Sequence, residues 1–148
     1  TVRFNYRGVG KSEGTYGHIV GECEDLKAVV AWAQAQYPDL PLWLGGFSFG
    51  SLITYRTANE LHAKRLTLIA PAVRFRNEAT GYHTLPEPQM PWSVLVPEAD
   101  EVVSSQDTHS WLNTLTTHPH VISYPGVTHF FHGQLPLLKS ALQGLQNL

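Results

Sequence analysis

Gly46-Phe47-Ser48-Phe49-Gly50 sets a serine between two aromatic residues and two glycines. In such a G-x-S-x-G pentapeptide the serine is a candidate nucleophile, provided that the chain turns sharply there. The flanking sequence predicts that turn. The apolar run Leu42-Trp43-Leu44 reads as a buried strand before it. Behind it, Leu52, Tyr55, Ala58 and Leu61 recur at three-residue spacing and predict a helix with one apolar side. A strand-to-helix turn of this kind, a nucleophile elbow, strains the serine backbone and raises its hydroxyl above the sheet edge. The residues two before and two after then crowd together, so neither position is expected to take a bulky side chain, and Gly46 and Gly50 suit that crowding.

An elbow serine needs a base, and the base needs an orienting carboxylate. With this elbow the partners follow in the order serine, acid, histidine, on loops after the carboxyl ends of strands. Asp100 lies just past a predicted strand at 92–96, and His129 just past one at 121–124. The chemistry is then acyl transfer. Ser48 attacks a carbonyl, His129 takes and returns the proton, Asp100 holds the imidazole tautomer, and the Phe49 amide N–H donates to the oxyanion.

Rivals stand beside each position. Glu98 and Glu101 flank Asp100 and read as solvated surface charges, while His132 competes with His129 and is expected to cap or line the site. His118, His120, His129 and His132 raise the question of a metal. However, His118-Pro119-His120 precedes a strand, and neither pair carries the supporting carboxylates of a zinc signature, so no metal is expected. Gly10-Lys11-Ser12 suggests a phosphate loop, but Asn5 stands where its first glycine belongs. Loop-forming residues, not a helix, follow the lysine, which weighs against nucleotide binding.

The elements that must position these residues alternate. Residues 1–6 read as a strand, with Val2, Phe4 and Tyr6 on one side. A helix is expected over 20–37, with Leu26, Val29, Val30 and Ala33 inward and Glu22, Glu24 and Asp25 in its early turns. With the elbow strand this makes a β-α-β unit and implies a parallel sheet. Further strands are expected at 65–70, 92–96 and 121–124, and helices at 105–115 and through Leu135, Leu138, Leu142 and Leu145. The sum is five strands alternating with helices, an α/β fold. Residues 72–89 show no period and read as a lid, a binding wall or an inert loop.

Composition bounds the rest. The 148 residues suit one domain, and 43% hydrophobic with 15% charged content is globular. A net charge of −2 gives no basic surplus for nucleic acid or a membrane surface. The lone Cys23 lies among acids and reads as a helix residue, not a nucleophile. No run reaches transmembrane length and no signal-peptide pattern is present, so the cytosol is the expected compartment. Oligomeric state stays open.

The chain resembles small bacterial α/β-hydrolases related to dienelactone hydrolases and carboxylesterases. The resemblance rests on residues 3–14, on Gly45 to Gly50, on Ala99-Asp100-Glu101-Val102-Val103, and on Gly126-Val127-Thr128-His129-Phe130-Phe131-His132-Gly133. It implies a parallel sheet flanked by helices, with Asp100 as acid and His129 as base. It further implies a small-molecule ester or thioester substrate, and neither metal nor organic cofactor. Dienelactone hydrolases proper use cysteine where Ser48 stands, so the resemblance implies esterase chemistry. Many relatives have glycine where this chain has Pro97, which bears on the geometry of the acid loop. In such hydrolases a strand preceding residue 1 carries the loop that donates a second oxyanion N–H. Residues 1–148 are therefore expected to be a single domain that is the C-terminal part of a longer one, lacking the N-terminal strands. A second reading follows from the same gap: a non-catalytic, hydrolase-like scaffold with an incomplete oxyanion hole.

Overall fold

The computed structural model describes residues 1–74 and 82–145. Among these residues the elements run α1 (Val20–Gln36), β1 (Trp43–Phe47), α2 (Phe49–Ala58), β2 (Arg65–Ile69), β3 (Trp92–Pro97), α3 (Ser105–Leu112), β4 (His120–Tyr124) and α4 (Leu135–Leu145). The four strands form one parallel sheet in the order β1-β2-β3-β4. The α/β class and the parallel sheet are as expected. Among the described residues, no helix is long and apolar enough to cross a membrane.

Strand alternation divides the core in two. Leu44, Leu66, Leu68, Trp92, Val94 and Val96 face α1, α2 and α3, whereas Ile69 and Leu95 face α4 through Leu145. All six residues of β3 are buried, as befits a strand covered on both faces. Each large aliphatic side chain so buried contributes about 1.5–3 kcal/mol. Tyr55, Tyr82, Trp92 and Trp111 pack with ring centroids 4.7–6.0 Å apart, which ties α2 and α3 to the sheet. Tyr82 is thus a core residue and no part of a lid. Phe75 and Gly81 of the expected irregular loop lie outside the described residues.

One expectation is corrected. Residues 1–6 form no strand, so there are four strands among the described residues, not five, and the β-α-β unit before the elbow is absent. Alternating side chains say which face a strand would bury, but a strand exists only through its ladder. The Val9 N–H donates to the Tyr6 carbonyl at 3.0 Å and the Gly8 N–H to that of Glu13 at 3.0 Å, so the chain goes straight from residues 1–6 into turns. Phe4 packs edge-on against Tyr6, and Tyr6 against Phe49, instead of lining a sheet.

The acids of α1 anchor the loop before it. Glu22 accepts from the Gly17 and Ile19 amides at 2.7 and 2.8 Å. Asp25 binds the Arg7 guanidinium through Oδ1 at 2.6 Å, and that hydrogen bond holds its carboxyl below the usual range. Cys23 is buried in α1, and burial raises its thiol pKa, against a nucleophilic role.

Glu87 staples the loop before β3 to the segment before β4. It accepts from the Thr116 and Thr117 amides at 2.8 and 2.7 Å, and from the Thr117 hydroxyl at 2.6 Å. The Thr116 amide, then the Thr117 groups, bring its pKa down to about 2. A carboxyl depressed from about 4.3 in the unfolded chain stabilises the fold above that value and loses its contribution as pH falls toward 2. Thermal unfolding should therefore show wild type above Glu87→Gln at neutral pH, with the gap closing between about pH 4 and pH 2. A gap that persists at the acid end contradicts the assignment.

Candidate active site

Each candidate side chain stands just past the carboxyl end of a parallel strand: Ser48 after β1, Asp100 after β3 and His129 after β4. Ser48 has φ 51° and ψ −115°, a left-handed conformation that costs a non-glycine residue about 1–3 kcal/mol. Its surroundings hold it there. The Ser48 amide donates to the Ile69 carbonyl at 2.8 Å. The Ser51 hydroxyl reaches the carbonyls of Gly46 at 2.6 Å and Ile69 at 3.0 Å, bracing the elbow against β2. Ser51 was not singled out from the sequence; its only signal is a small polar residue one helical turn beyond the nucleophile.

The crowding around the elbow is one-sided. A β-carbon on Gly46 would lie 2.5 Å from both the Gly50 carbonyl carbon and the Thr54 hydroxyl oxygen, whereas one on Gly50 would meet only the Tyr6 hydroxyl, at 4.0 Å. The expectation that neither position takes a bulky side chain holds at Gly46 and is corrected at Gly50, which sits in the first turn of α2 with its side-chain direction open. Gly46→Ala should destabilise the fold by about 3 kcal/mol through overpacking. Gly50→Ala should be neutral or stabilising by up to about 1 kcal/mol, since alanine is the better helix former. Denaturant midpoints of the two variants compare them directly, and equal losses contradict the geometry.

Asp100 and His129 form a buried pair. Nδ1 of the imidazole lies 2.7 Å from Oδ2 of the carboxylate, and both side chains are only 2% exposed. Oδ1 accepts from the Val102 and Val103 amides at 2.8 and 2.7 Å. A carboxylate can only accept, so Nδ1 carries the proton and Nε2 keeps a lone pair for use as a base. The two loops are laced beneath the pair: the Glu98 amide donates to Tyr124 at 3.0 Å and the Ala99 amide to Val127 at 2.9 Å. Pro97 closes β3 in register with Tyr124, so the residue that departs from the resembling pattern is accommodated at the strand end.

Glu101 is the exposed charge expected of it and Glu98 is partly buried, but both also make local hydrogen bonds. Glu101 accepts the His129 backbone N–H at 3.0 Å, and this bond holds its carboxyl below the usual range. Glu98 contacts His109 Nε2 at 2.8 Å; burial raises its pKa, but hydrogen bonds from Ser123 and His109 outweigh this and lower it. His132 is exposed, with its ring 5.6 Å from that of Phe130. His118 and His120 line a hollow of about 470 Å³ at the opposite, amino end of the sheet, beside Arg65 and Trp92. The four histidines thus occupy two ends of the fold. Among the described residues, no three potential ligands gather for a metal.

Phe47, the residue before Ser48, has its ring 4.8 Å from that of His129. Among the described residues, no hydrogen bond joins the Ser48 hydroxyl to His129. Phe49 opens α2, so its amide stands where a helix N-terminus presents positive charge to an anion. A cavity of about 350 Å³ begins at Ser48 and Phe49. Ala72, Val73, Val102 and Val103 make its apolar wall, and an Arg74–Asp107 ion pair of 3.0 Å stands at its rim. The described start of the irregular loop thus lines this cavity. Lys11, by contrast, precedes turns, and α1 opens only at Val20, which leaves the phosphate-loop pattern without its helix.

Known proteins are similar to this chain in sequence and in fold. A family model described as serine aminopeptidase, S33, matches residues 1–87. The uncharacterized protein RP471 of Rickettsia prowazekii (strain Madrid E) is 31% identical over 137 residues, covering 88% of this chain and 57% of the relative. XC6422 of Xanthomonas campestris, described as an α/β serine hydrolase without a lid, superposes with TM-score 0.88 at 40% identity over 96% of this chain and 63% of its own. An α/β serine hydrolase homologue of Coxiella burnetii gives TM-score 0.89 and 37% identity over 99% of this chain and 67% of its own.

Proposed function

Because the chain belongs to the α/β-hydrolase family, through the group described as serine aminopeptidase, S33, we propose that it is a serine hydrolase cleaving esters or thioesters of small acids by way of an acyl-enzyme. The observation that carries the reading is the buried 2.7 Å contact between His129 and Asp100, made beside an elbow serine. In this reading Ser48 Oγ attacks the acyl carbon while His129 Nε2 takes its proton. The imidazolium so formed is stabilised by Asp100 and returns the proton to the leaving oxygen or sulfur. The Phe49 amide donates to the oxyanion, a contact typically worth a hundred- to a thousandfold in rate, or roughly 3–4 kcal/mol. Water then releases the acid by the reverse proton path.

Ester rather than aminopeptidase chemistry is favoured by the rim charges. An aminopeptidase must hold a substrate ammonium with a carboxylate facing the serine. Asp107, the one carboxylate among the described residues of the cavity wall, is already paired with Arg74. A second reading, a binding scaffold without turnover, draws on the absence of a Ser48–His129 hydrogen bond among the described residues. Catalytic hydrogen bonds are often loose before substrate binds, so this observation weighs less than the buried pair. Fluorophosphonate treatment followed by peptide mapping separates the two: the hydrolase acquires the adduct on the Ser48 peptide. A folded chain that takes up none is the scaffold.

A further inference from the structure

Two apolar surfaces meet at Ser48, and, resting on the acyl-transfer reading above, we propose that they divide the substrate: the cavity of Val102 and Val103 takes the acyl group, and the exposed rings of Phe47 and Phe130 take an aromatic leaving group.

The division follows from where the proton must go. Attack forms the bond from Ser48 Oγ to the acyl carbon. Collapse of the tetrahedral intermediate breaks the bond from that carbon to the leaving oxygen, which receives the proton His129 took from Ser48. The leaving oxygen therefore stands on the imidazole side of Ser48. On that side the structure offers two phenyl rings. Phe47 and Phe130 each lie 4.8 Å from the His129 ring and 6.0 Å from one another. His129 beside them is 1% exposed, yet they are themselves 38% and 51% exposed. Neither belongs to either buried core, whereas the adjacent Phe131 is 1% exposed and packs into the core beneath α4. His132 continues the row of rings beyond Phe130.

The acyl side is a different surface. The cavity that begins at Ser48 is lined by neither His129 nor the two rings, and Ala72, Val73, Val102 and Val103 give it an aliphatic stretch of wall. Asp100 fixes that wall through the amides of Val102 and Val103 while it orients the imidazole with its other oxygen. The acyl pocket and the base are thus built on one carboxylate. An aromatic ring is the leaving group that gains most from the exposed phenyls, because ring pairs in edge or offset contact are favourable beyond the area they bury.

The test compares two butyrates, benzyl and cyclohexylmethyl. They share an acyl group and a primary alkoxide leaving group of similar basicity, and differ in whether the six-membered ring is aromatic. Wild type should favour the benzyl ester about three- to tenfold in kcat/KM, the worth of one aromatic pair. Phe130→Leu should bring the ratio toward one, and Phe130→Tyr should retain it. Because each protein is its own control, the ratio is insensitive to loss of folded enzyme. A wild-type ratio near one, or a preference that survives in both Phe130→Leu and Phe47→Leu, overturns the proposal. A second measurement does not depend on turnover. In Ser48→Ala, benzyl alcohol should shift the aromatic NMR signals of Phe47 and Phe130 at concentrations where cyclohexylmethanol does not. Equal shifts, or none, overturn the proposal. If Ser48 takes no fluorophosphonate but the benzyl alcohol shifts appear, the hydrolase reading has failed and the aromatic platform stands.

Discussion

Ser48→Ala lowers ester turnover by about 10⁵- to 10⁶-fold and leaves the fold intact; that is the largest effect expected of any single substitution here. Alanine removes the attacking oxygen and nothing else. The hydroxyl caps no helix amide, and the bonds that hold the elbow come from the Ser48 backbone and from Ser51. The strain at φ 51° stays, because alanine is no freer there than serine. The denaturant midpoint should therefore move by no more than about 0.5 kcal/mol. Residues that act as one unit do not add, so Ser48→Ala combined with His129→Ala should be no slower than Ser48→Ala alone. If the single variant keeps a tenth of wild-type turnover, or the double variant is a further thousandfold slower, Ser48 is not the nucleophile.

The parts of the fold that the sequence announces are those whose burial is settled locally. β2 and β3 are covered on both faces, so their apolar residues follow one another closely and even Thr67 and Ser93 are buried. The helix after the elbow buries Leu52, Tyr55 and Ala58 as their spacing requires. Residues 1–6 carry an equally good alternation but pair with no strand, because alternation does not encode a partner. The end of α3 is similar. Leu115 is partly buried, as its spacing from Trp111 suggests, yet the helix stops at Leu112. The Thr114 and Leu115 amides there turn back to carbonyls only three residues earlier, at 2.9 and 3.3 Å. Periodicity reports the inward side and not the hydrogen-bond step.

The candidate site divides in the same way. Order along the chain and position after a strand point to the loops of Asp100 and His129, since a parallel sheet brings its carboxyl ends to one edge, and the resemblance singles these two out from Glu98, Glu101 and His132. What Glu101, Ser51, Phe47 and Phe130 do depends on how two loops settle against each other. No spacing rule says that neighbouring acids will grip the ring and the backbone of one histidine. Gly50 shows the converse failure. A pentapeptide pattern treats its two glycines alike, while the structure crowds Gly46 and leaves the second open.

Asp100→Asn separates orientation from stability and should lower kcat by about 10⁴-fold with little change in KM. The geometry dictates which way the new amide points. Two backbone N–H groups, from Val102 and Val103, aim at the Oδ1 position, so the asparagine oxygen must occupy it. The NH₂ group then faces Nδ1 of His129 and can only donate. Nδ1 must accept, the ring proton moves to Nε2, and Nε2 can no longer act as a base. Stability should fall only slightly, because the loop keeps both amide bonds. Asp100→Ala removes those bonds as well, each worth roughly 1.5–3 kcal/mol to a charged acceptor, so it should be as slow and clearly less stable. Proton NMR of the imidazole gives the decisive reading: the downfield Nδ1–H of wild type should vanish in Asp100→Asn while the Val102 and Val103 amides stay protected. If activity instead survives that loss, the tautomer is set by another group. The carboxylate nearest to hand is then Glu101, already bonded to the His129 backbone.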